Sequence, residues 1–143
     1  MTVKLTIVGM GQIGISVGLA LAEESERIYR VGHDRELGAA RRAEKMGALD
    51  RDTINLISAV EDADLVLLAL PVDQIQETLA AIKDDLKPAA VIMDTGPAKM
   101  QVSTWADELL PEERYYVGLT PVLNPEYLHD IDSGAEAAHP DLF

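Results

Sequence analysis

The chain has 143 residues, is 48% hydrophobic and carries a net charge of −13. That suits one compact domain with a real core, and is too short for a nucleotide domain plus a full substrate domain. Such a charge disfavours long-range attraction to nucleic acid or an anionic membrane. The lack of cysteine excludes disulfides, thiolate zinc sites and a cysteine nucleophile.

In chain order, Leu5 to Val8 reads as a continuous apolar strand, of the kind buried on both faces of a parallel sheet. Ile13 to Leu21 is an amphipathic helix with Ile13, Val17 and Leu21 at helical spacing. Ile28 to Val31 is a second strand, in an apolar segment that ends at Asp34. A helix over Glu36 to Met46 is closed by Gly47, with Arg41, Arg42 and Lys45 near its negative end. A very short strand within Ala48 to Thr53 and a short helix over Ile54 to Ala63 follow. Asp64 to Leu70 is the clearest later strand and stops at Pro71, which cannot donate to a ladder. Gln74 to Leu86 is a helix with Ile75, Leu79 and Ile82 on one face, and Ala89 to Met93 is a strand ending at Asp94. Gln101 to Leu110 is a helix with Val102, Trp105 and Leu109 on its apolar side, and Tyr115 to Leu119 is a last strand. This alternation predicts an α/β fold, a Rossmann-type doubly wound, mostly parallel sheet with helices on both faces. The N-terminus carries no signal-peptide pattern, and the longest apolar run, Leu65 to Val72, is far short of a membrane span, so a soluble cytoplasmic protein is expected.

The stretch from Val3 to Arg35 carries the chemistry. It reads strand, G-x-G-x-x-G-x-x-x-G from Gly9 to Gly18, helix, strand, acid, with Asp34 20 positions after Gly14. That is the spacing of a dinucleotide-binding βαβ unit. Gly9 serves the sharp turn, Gly11 lets a pyrophosphate approach the main chain, and Gly14 and Gly18 let the helix pack close to the strand. The amides near Gln12, Ile13 and Gly14 face the phosphates, and Asp34 accepts hydrogen bonds from an adenosine ribose. Ligands in such sheets sit beyond the strand carboxyl ends, which brings in the loops Leu70 to Gln74, Asp94 to Lys99 and Thr120 to Asn124. The candidate cofactor residues are thus Gly9, Gly11, Gln12, Ile13, Gly14, Asp34, Arg35, Leu70, Pro71, Val72, Gln74 and Thr95. His33 edges the adenosine pocket, while His129 and His139 read as solvated tail histidines. Tyr115, Tyr116 and Trp105 read as core residues. The acidic clusters read as solvated faces, since no histidine accompanies them, and no metal is expected.

Four segments, G-M-G-Q-I-G-I-S-V-G-L-A-L at 9 to 21, L-A-L-P-V at 68 to 72, D-T-G-P-A-K at 94 to 99 and V-G-L-T-P at 117 to 121, resemble the nucleotide domain of prephenate and arogenate dehydrogenases. G-A-E-A-A-H-P-D-L-F at 134 to 143 does so too. The resemblance implies a nicotinamide cofactor, NAD with NADP as the alternative, and oxidative decarboxylation of prephenate or arogenate on the route to tyrosine. It also implies a second, all-helical domain after the D-L-F segment that closes the substrate pocket and forms the dimer. A homodimer, or a partner chain supplying that domain, is therefore expected. Two family residues differ. The serine of D-x-G-S-x-K is Pro97, and the histidine of G-x-H-P is Thr120. Proline offers no donor, and a threonine hydroxyl is a poor base near neutral pH. Thr120, Lys99 and Asp94 remain as candidate catalytic residues, with Lys99 pairing at the strand end and Asp94 capping the next turn as the more economical reading.

Two functions follow. One is an NAD(P)-dependent oxidoreductase of prephenate dehydrogenase type, or its cofactor half, moving a hydride from a small hydroxy acid to nicotinamide. The other is a non-catalytic dinucleotide-sensing module acting with a partner, which the replaced serine and histidine favour. A methyltransferase does not fit the spacing of Gly9, Gly11 and Gly14, and flavoproteins of this kind are normally longer.

Overall fold

The computed structural model describes residues 1–127, 135 and 137–143. His129, Gly134 and Glu136 lie outside them. The elements are β1 (Val3–Val8), α1 (Gln12–Ala20), β2 (Ile28–His33), α2 (Ala39–Lys45), β3 (Arg51–Asp52), α3 (Leu56–Val60), β4 (Leu65–Leu68), α4 (Val72–Ile82), β5 (Val91–Asp94), α5 (Lys99–Leu109) and β6 (Tyr115–Gly118). The strands form one sheet in the order β3-β2-β1-β4-β5-β6, and every pairing is parallel. Successive strands are added on one side of β1 as far as β3 and on the other side from β4 to β6, so the switch point falls between the carboxyl ends of β1 and β4.

Alternation along the strands sorts the core into two layers. Leu5 and Ile7 of β1 and Leu67 of β4 face Ile15 of α1 and Ala39, Ala40 and Ala43 of α2. Val8, Val66, Leu68 and Ile92 face the opposite way, toward Ile75, Leu79 and Ile82 of α4 and Val102 of α5. Burial on both faces is what the unbroken apolar strands require. Thr6, fully buried in β1, satisfies its hydroxyl by donating to the Ala59 carbonyl of α3 at 2.5 Å.

Three helices depart from the sequence reading. The expected contact face of α1 was Ile13, Val17 and Leu21, but the buried residues are Gly14, Ile15, Ser16 and Gly18. The helix is apolar nearly all round, so the small residues, which permit the closest approach, decide which side turns inward. Gly18 packs not on the strand but on Ala48, whose carbonyl would lie 2.3 Å from an added Cβ. Helix α2 begins at Ala39, not Glu36, because Gly38 is left-handed at φ 85° and stops the helix from extending backward. Helix α4 begins at Val72 and ends at Ile82, with the chain from 83 to 86 in turns. Proline is well suited to the position just before a first turn, which explains the earlier start.

Tyr115 also departs from the core reading. It is 55% exposed on the outer strand, whereas Tyr116 and Trp105 pack against the α4–α5 layer. His139 is more engaged than a solvated tail residue. Its ring stacks on Tyr127 at 4.6 Å, its amide donates to Ser16 Oγ at 3.1 Å, and its Nδ1 accepts from the Asp141 amide at 3.2 Å. With Leu142 fully buried, this segment lies over α1.

One buried charge ties three connections together. Arg30 of β2 is 4% exposed and donates to both carboxylate oxygens of Asp50, at 2.8 and 3.0 Å. It also donates to the carbonyls of Gly18 at 2.7 Å and Gly47 at 3.0 Å. Removing the guanidinium would strand a carboxylate and two carbonyls, so Arg30→Met is expected to lower unfolding free energy by about 3 kcal/mol. The hydrogen bond from Arg30 holds the Asp50 carboxyl below the usual carboxylate range. Its contribution is therefore complete above the unfolded pKa of about 3.9 and is lost as pH falls through the lower folded value. Urea midpoints measured across acid pH should fall below about pH 4 in the wild type and fall less in Arg30→Met.

Candidate functional site

The carboxyl ends of β1, β2 and β4 surround a cleft of about 410 Å³. One end is built from the β1–α1 turn. Gly9 takes φ 102°, and a Cβ there would lie 2.3 Å from the Ala69 carbonyl, so only glycine fits between β1 and β4. Gly11 is different. A Cβ added to it would meet no heavy atom within 4 Å, and the residue lines the cleft as the N-cap of α1. The first amides of any helix lack partners inside the helix, and here they lie beside that opening. The Ile15 amide is the first to turn back into the helix, to the Gly11 carbonyl at 3.0 Å.

Asp34 closes the second side. Its Oδ2 accepts from the Met10 amide at 2.7 Å and its Oδ1 from the Glu36 amide at 2.8 Å. One carboxylate thus fixes both the glycine turn and the loop after β2, and each of its oxygens retains capacity for a further hydrogen bond at the cleft wall. His33, Arg35, Leu70, Pro71 and Gln74 line the same cleft. His33 Nδ1 lies 3.1 Å from the Thr53 carbonyl, so that nitrogen is occupied. The Val72 side chain packs on the core layer beneath α4. Gly14 is buried against the Gly9 carbonyl, and Gln12 opens the first turn of α1.

Sequence reasoning missed Glu36, Glu77 and Thr78 in this cleft. Glu77 and Thr78 follow Gln74 by three and four residues, one helical turn, and so share its face of α4. That spacing was the available signal.

Ile13 and Thr95 fall instead in a second cleft of about 390 Å³, together with Val17, Leu67, Leu119, Thr120 and Phe143. The loops expected to make one site therefore divide between two. In the second cleft the polar side chains among the described residues are the hydroxyls of Thr95 and Thr120, and no charged group joins them. Pro97 is exposed.

Asp94 and Lys99 do not open onto either cleft. Asp94 is fully buried and accepts from Lys99 Nζ at 3.0 Å and the Tyr116 hydroxyl at 2.5 Å through Oδ1, and from the Gly96 amide at 2.8 Å through Oδ2. Lys99 Nζ also donates to the Asp94 carbonyl at 3.1 Å. Burial, and then the hydrogen bond to the Asp94 carboxylate, push the Tyr116 phenol well above its ordinary range. This is a closed structural network that joins β5, α5 and β6, in line with the pairing and capping roles for Lys99 and Asp94. Tyr116 is the member that the sequence did not single out. Among the described residues no group of histidines and carboxylates gathers to hold a metal ion, and no helix is long and apolar enough to cross a membrane.

A glycine turn open to ligand, a helix N-terminus and an acid at the end of the next strand define a dinucleotide-binding domain of Rossmann type. Residues 17–143 match the family described as prephenate dehydrogenase, nucleotide-binding domain, and the chain belongs to that family. It is 30% identical over 142 residues to the prephenate dehydrogenase of Lactococcus lactis subsp. cremoris, covering 98% of this chain and 38% of that one. It is 30% identical over 140 residues to the Bacillus subtilis prephenate dehydrogenase, covering 97% and 36%. A solved prephenate dehydrogenase from A. aeolicus, in complex with hydroxyphenyl propionate and NAD+, superposes with a TM-score of 0.74 at 26% identity, over 85% of this chain and 42% of that one. The chain thus spans well under half the length of these relatives.

Two variants test the geometry. Gly11→Ala is expected to change stability by no more than about 1 kcal/mol, the scale of an N-cap exchange, yet to weaken dinucleotide binding at least about ten-fold by occupying the opening. Thermal melts and calorimetric titration of the same sample would check both halves. Lys99→Met strands a buried carboxylate and should cost about 3 kcal/mol. Adding Asp94→Asn to it should restore most of that loss in urea melts.

Proposed function

We propose that this chain is the NAD-holding half of a dehydrogenase of prephenate type. Substrate contacts and the proton acceptor would come from a second domain or a partner polypeptide. Its setting would be the cytoplasm, where a cysteine-free chain suits the reducing conditions. The observation that carries the reading is the vacant approach at Gly11 beside the Asp34 carboxylate. Gly11, Gln12, Ile13 and Gly14 would cradle the pyrophosphate on main-chain amides, while Gly9, whose own amide donates to the His33 carbonyl at 2.9 Å, would shape the turn. Asp34 would take the adenosine ribose, and Arg35, Leu70, Pro71 and Gln74 would enclose the adenosine. Thr95 and Thr120 would edge the nicotinamide end from the second cleft. The bound cofactor supplies a hydride acceptor. The residues of this chain orient it.

Oxidation of a hydroxyl-bearing carbon also requires a group to take the hydroxyl proton. The second cleft offers hydroxyls but no imidazole, carboxylate or amine among its described residues, and Lys99 is committed to Asp94. The same observation favours a second reading, a dinucleotide sensor that performs no chemistry.

Calorimetric titration is expected to show NAD+ binding with a Kd in roughly the range of 1 µM to 1 mM that substrates of enzymes occupy. Flavin dinucleotide and S-adenosylmethionine should not bind, and preference for either would overturn the cofactor reading. With the complementary domain or partner present, prephenate or arogenate should reduce NAD+. Binding without turnover would decide for the sensor.

A further inference from the structure

The adenosine end of the first cleft contains an ion pair that the cofactor reading leaves unused. Glu36 lines the cleft, two residues beyond Asp34, and its Oε1 accepts from Arg42 Nη2 at 2.8 Å. Arg42 reaches back from α2 over the loop, with Nη1 3.6 Å from where a Gly38 Cβ would stand. We propose that Glu36 is a specificity residue that selects NAD over NADP by holding the Arg42 guanidinium away from the ribose 2′ position; the proposal rests on the dinucleotide reading above.

Three observations support this. An arginine near the end of the second strand is the usual device for accommodating a 2′-phosphate, because its planar fork matches the phosphate oxygens. Two candidates stand here, Arg35 in the cleft wall and Arg42, paired to Glu36 of that wall. Arg42 is already neutralised by the Glu36 carboxylate, so the pair presents no net positive charge to an incoming phosphate. The Glu36 amide, a further potential donor to a phosphate, is spent on Asp34 Oδ1. With Glu36 paired to Arg42, the cleft wall still holds Asp34 and Glu77 against Arg35, an excess of negative charge that a 2′-hydroxyl tolerates and a dianionic phosphate does not. Asp34 excludes the phosphate by occupying its place. Glu36 acts one step back, by withholding the cation that would compensate.

Both side chains are largely exposed, so replacing them should not disturb folding. The test compares wild type, Glu36→Gln and Glu36→Gln with Arg42→Ala, each titrated with NAD+ and with NADP+ at low and high salt. Glu36→Gln should lower the ratio of the NADP+ to the NAD+ dissociation constant about five- to ten-fold, the gain of one partly screened arginine–phosphate contact. That shift should shrink at high salt and vanish in the double variant. An unchanged ratio in Glu36→Gln would overturn the proposal. A shift that survives Arg42→Ala would overturn it equally, since Glu36 would then act by its own charge alone. Wild-type protein that binds neither dinucleotide would remove the cofactor reading and this proposal with it, and is distinguishable from the other outcomes.

Discussion

The Asp34 carboxylate is the contact on which the ligand-binding end of the sheet depends. Glycine turns are cheap to bend and so cheap to deform, and the conformational freedom that suits Gly9 and Gly11 to their positions would otherwise let the loop wander. Two charge-assisted hydrogen bonds, from the Met10 and Glu36 amides, remove that freedom. The binding surface is then assembled before any ligand arrives, which lowers the ordering cost of binding. The same side chain therefore shapes the pocket and forms part of its wall.

Polar groups are unevenly distributed over the two clefts. The first is rich in directed polar groups, namely helix amides, a placed carboxylate and a flexible cation. The second is apolar apart from two hydroxyls. A surface of the second kind can position a flat ring and exclude water, but it cannot take up a proton. Asp94 and Lys99, which flank Thr95 in sequence, neutralise one another outside both clefts, and Tyr116 completes their satisfaction. The network holds the ends of β5 and β6 in register.

Much of this was legible in the sequence, for reasons that can be named. Strands buried on both faces announce themselves as unbroken apolar runs, so β1, β4 and the parallel order followed directly. The inward face of α4 followed as plainly, because Ile75, Leu79 and Ile82 stand out against polar neighbours. The α1 face did not, since a helix apolar on every side carries no periodic signal and the choice falls to small residues. The start of α2 was hidden in the left-handed backbone of Gly38, which one glycine among ten does not declare. The Asp94–Lys99–Tyr116 network was half visible. Asp94 and Lys99 sit in one loop motif, but Tyr116 joins them only through the register of two parallel strands, information that local sequence does not contain. The division into two clefts was invisible for the same reason.

Trp105, the chain's single tryptophan, packs from α5 onto the layer shared with α4 and borders neither cleft. Its indole emission therefore registers whether that layer is assembled, largely independent of occupancy at the glycine turn. The molecule carries a built-in optical gauge of its own integrity, so a variant that has lost its ligand can be told apart from one that has lost its shape.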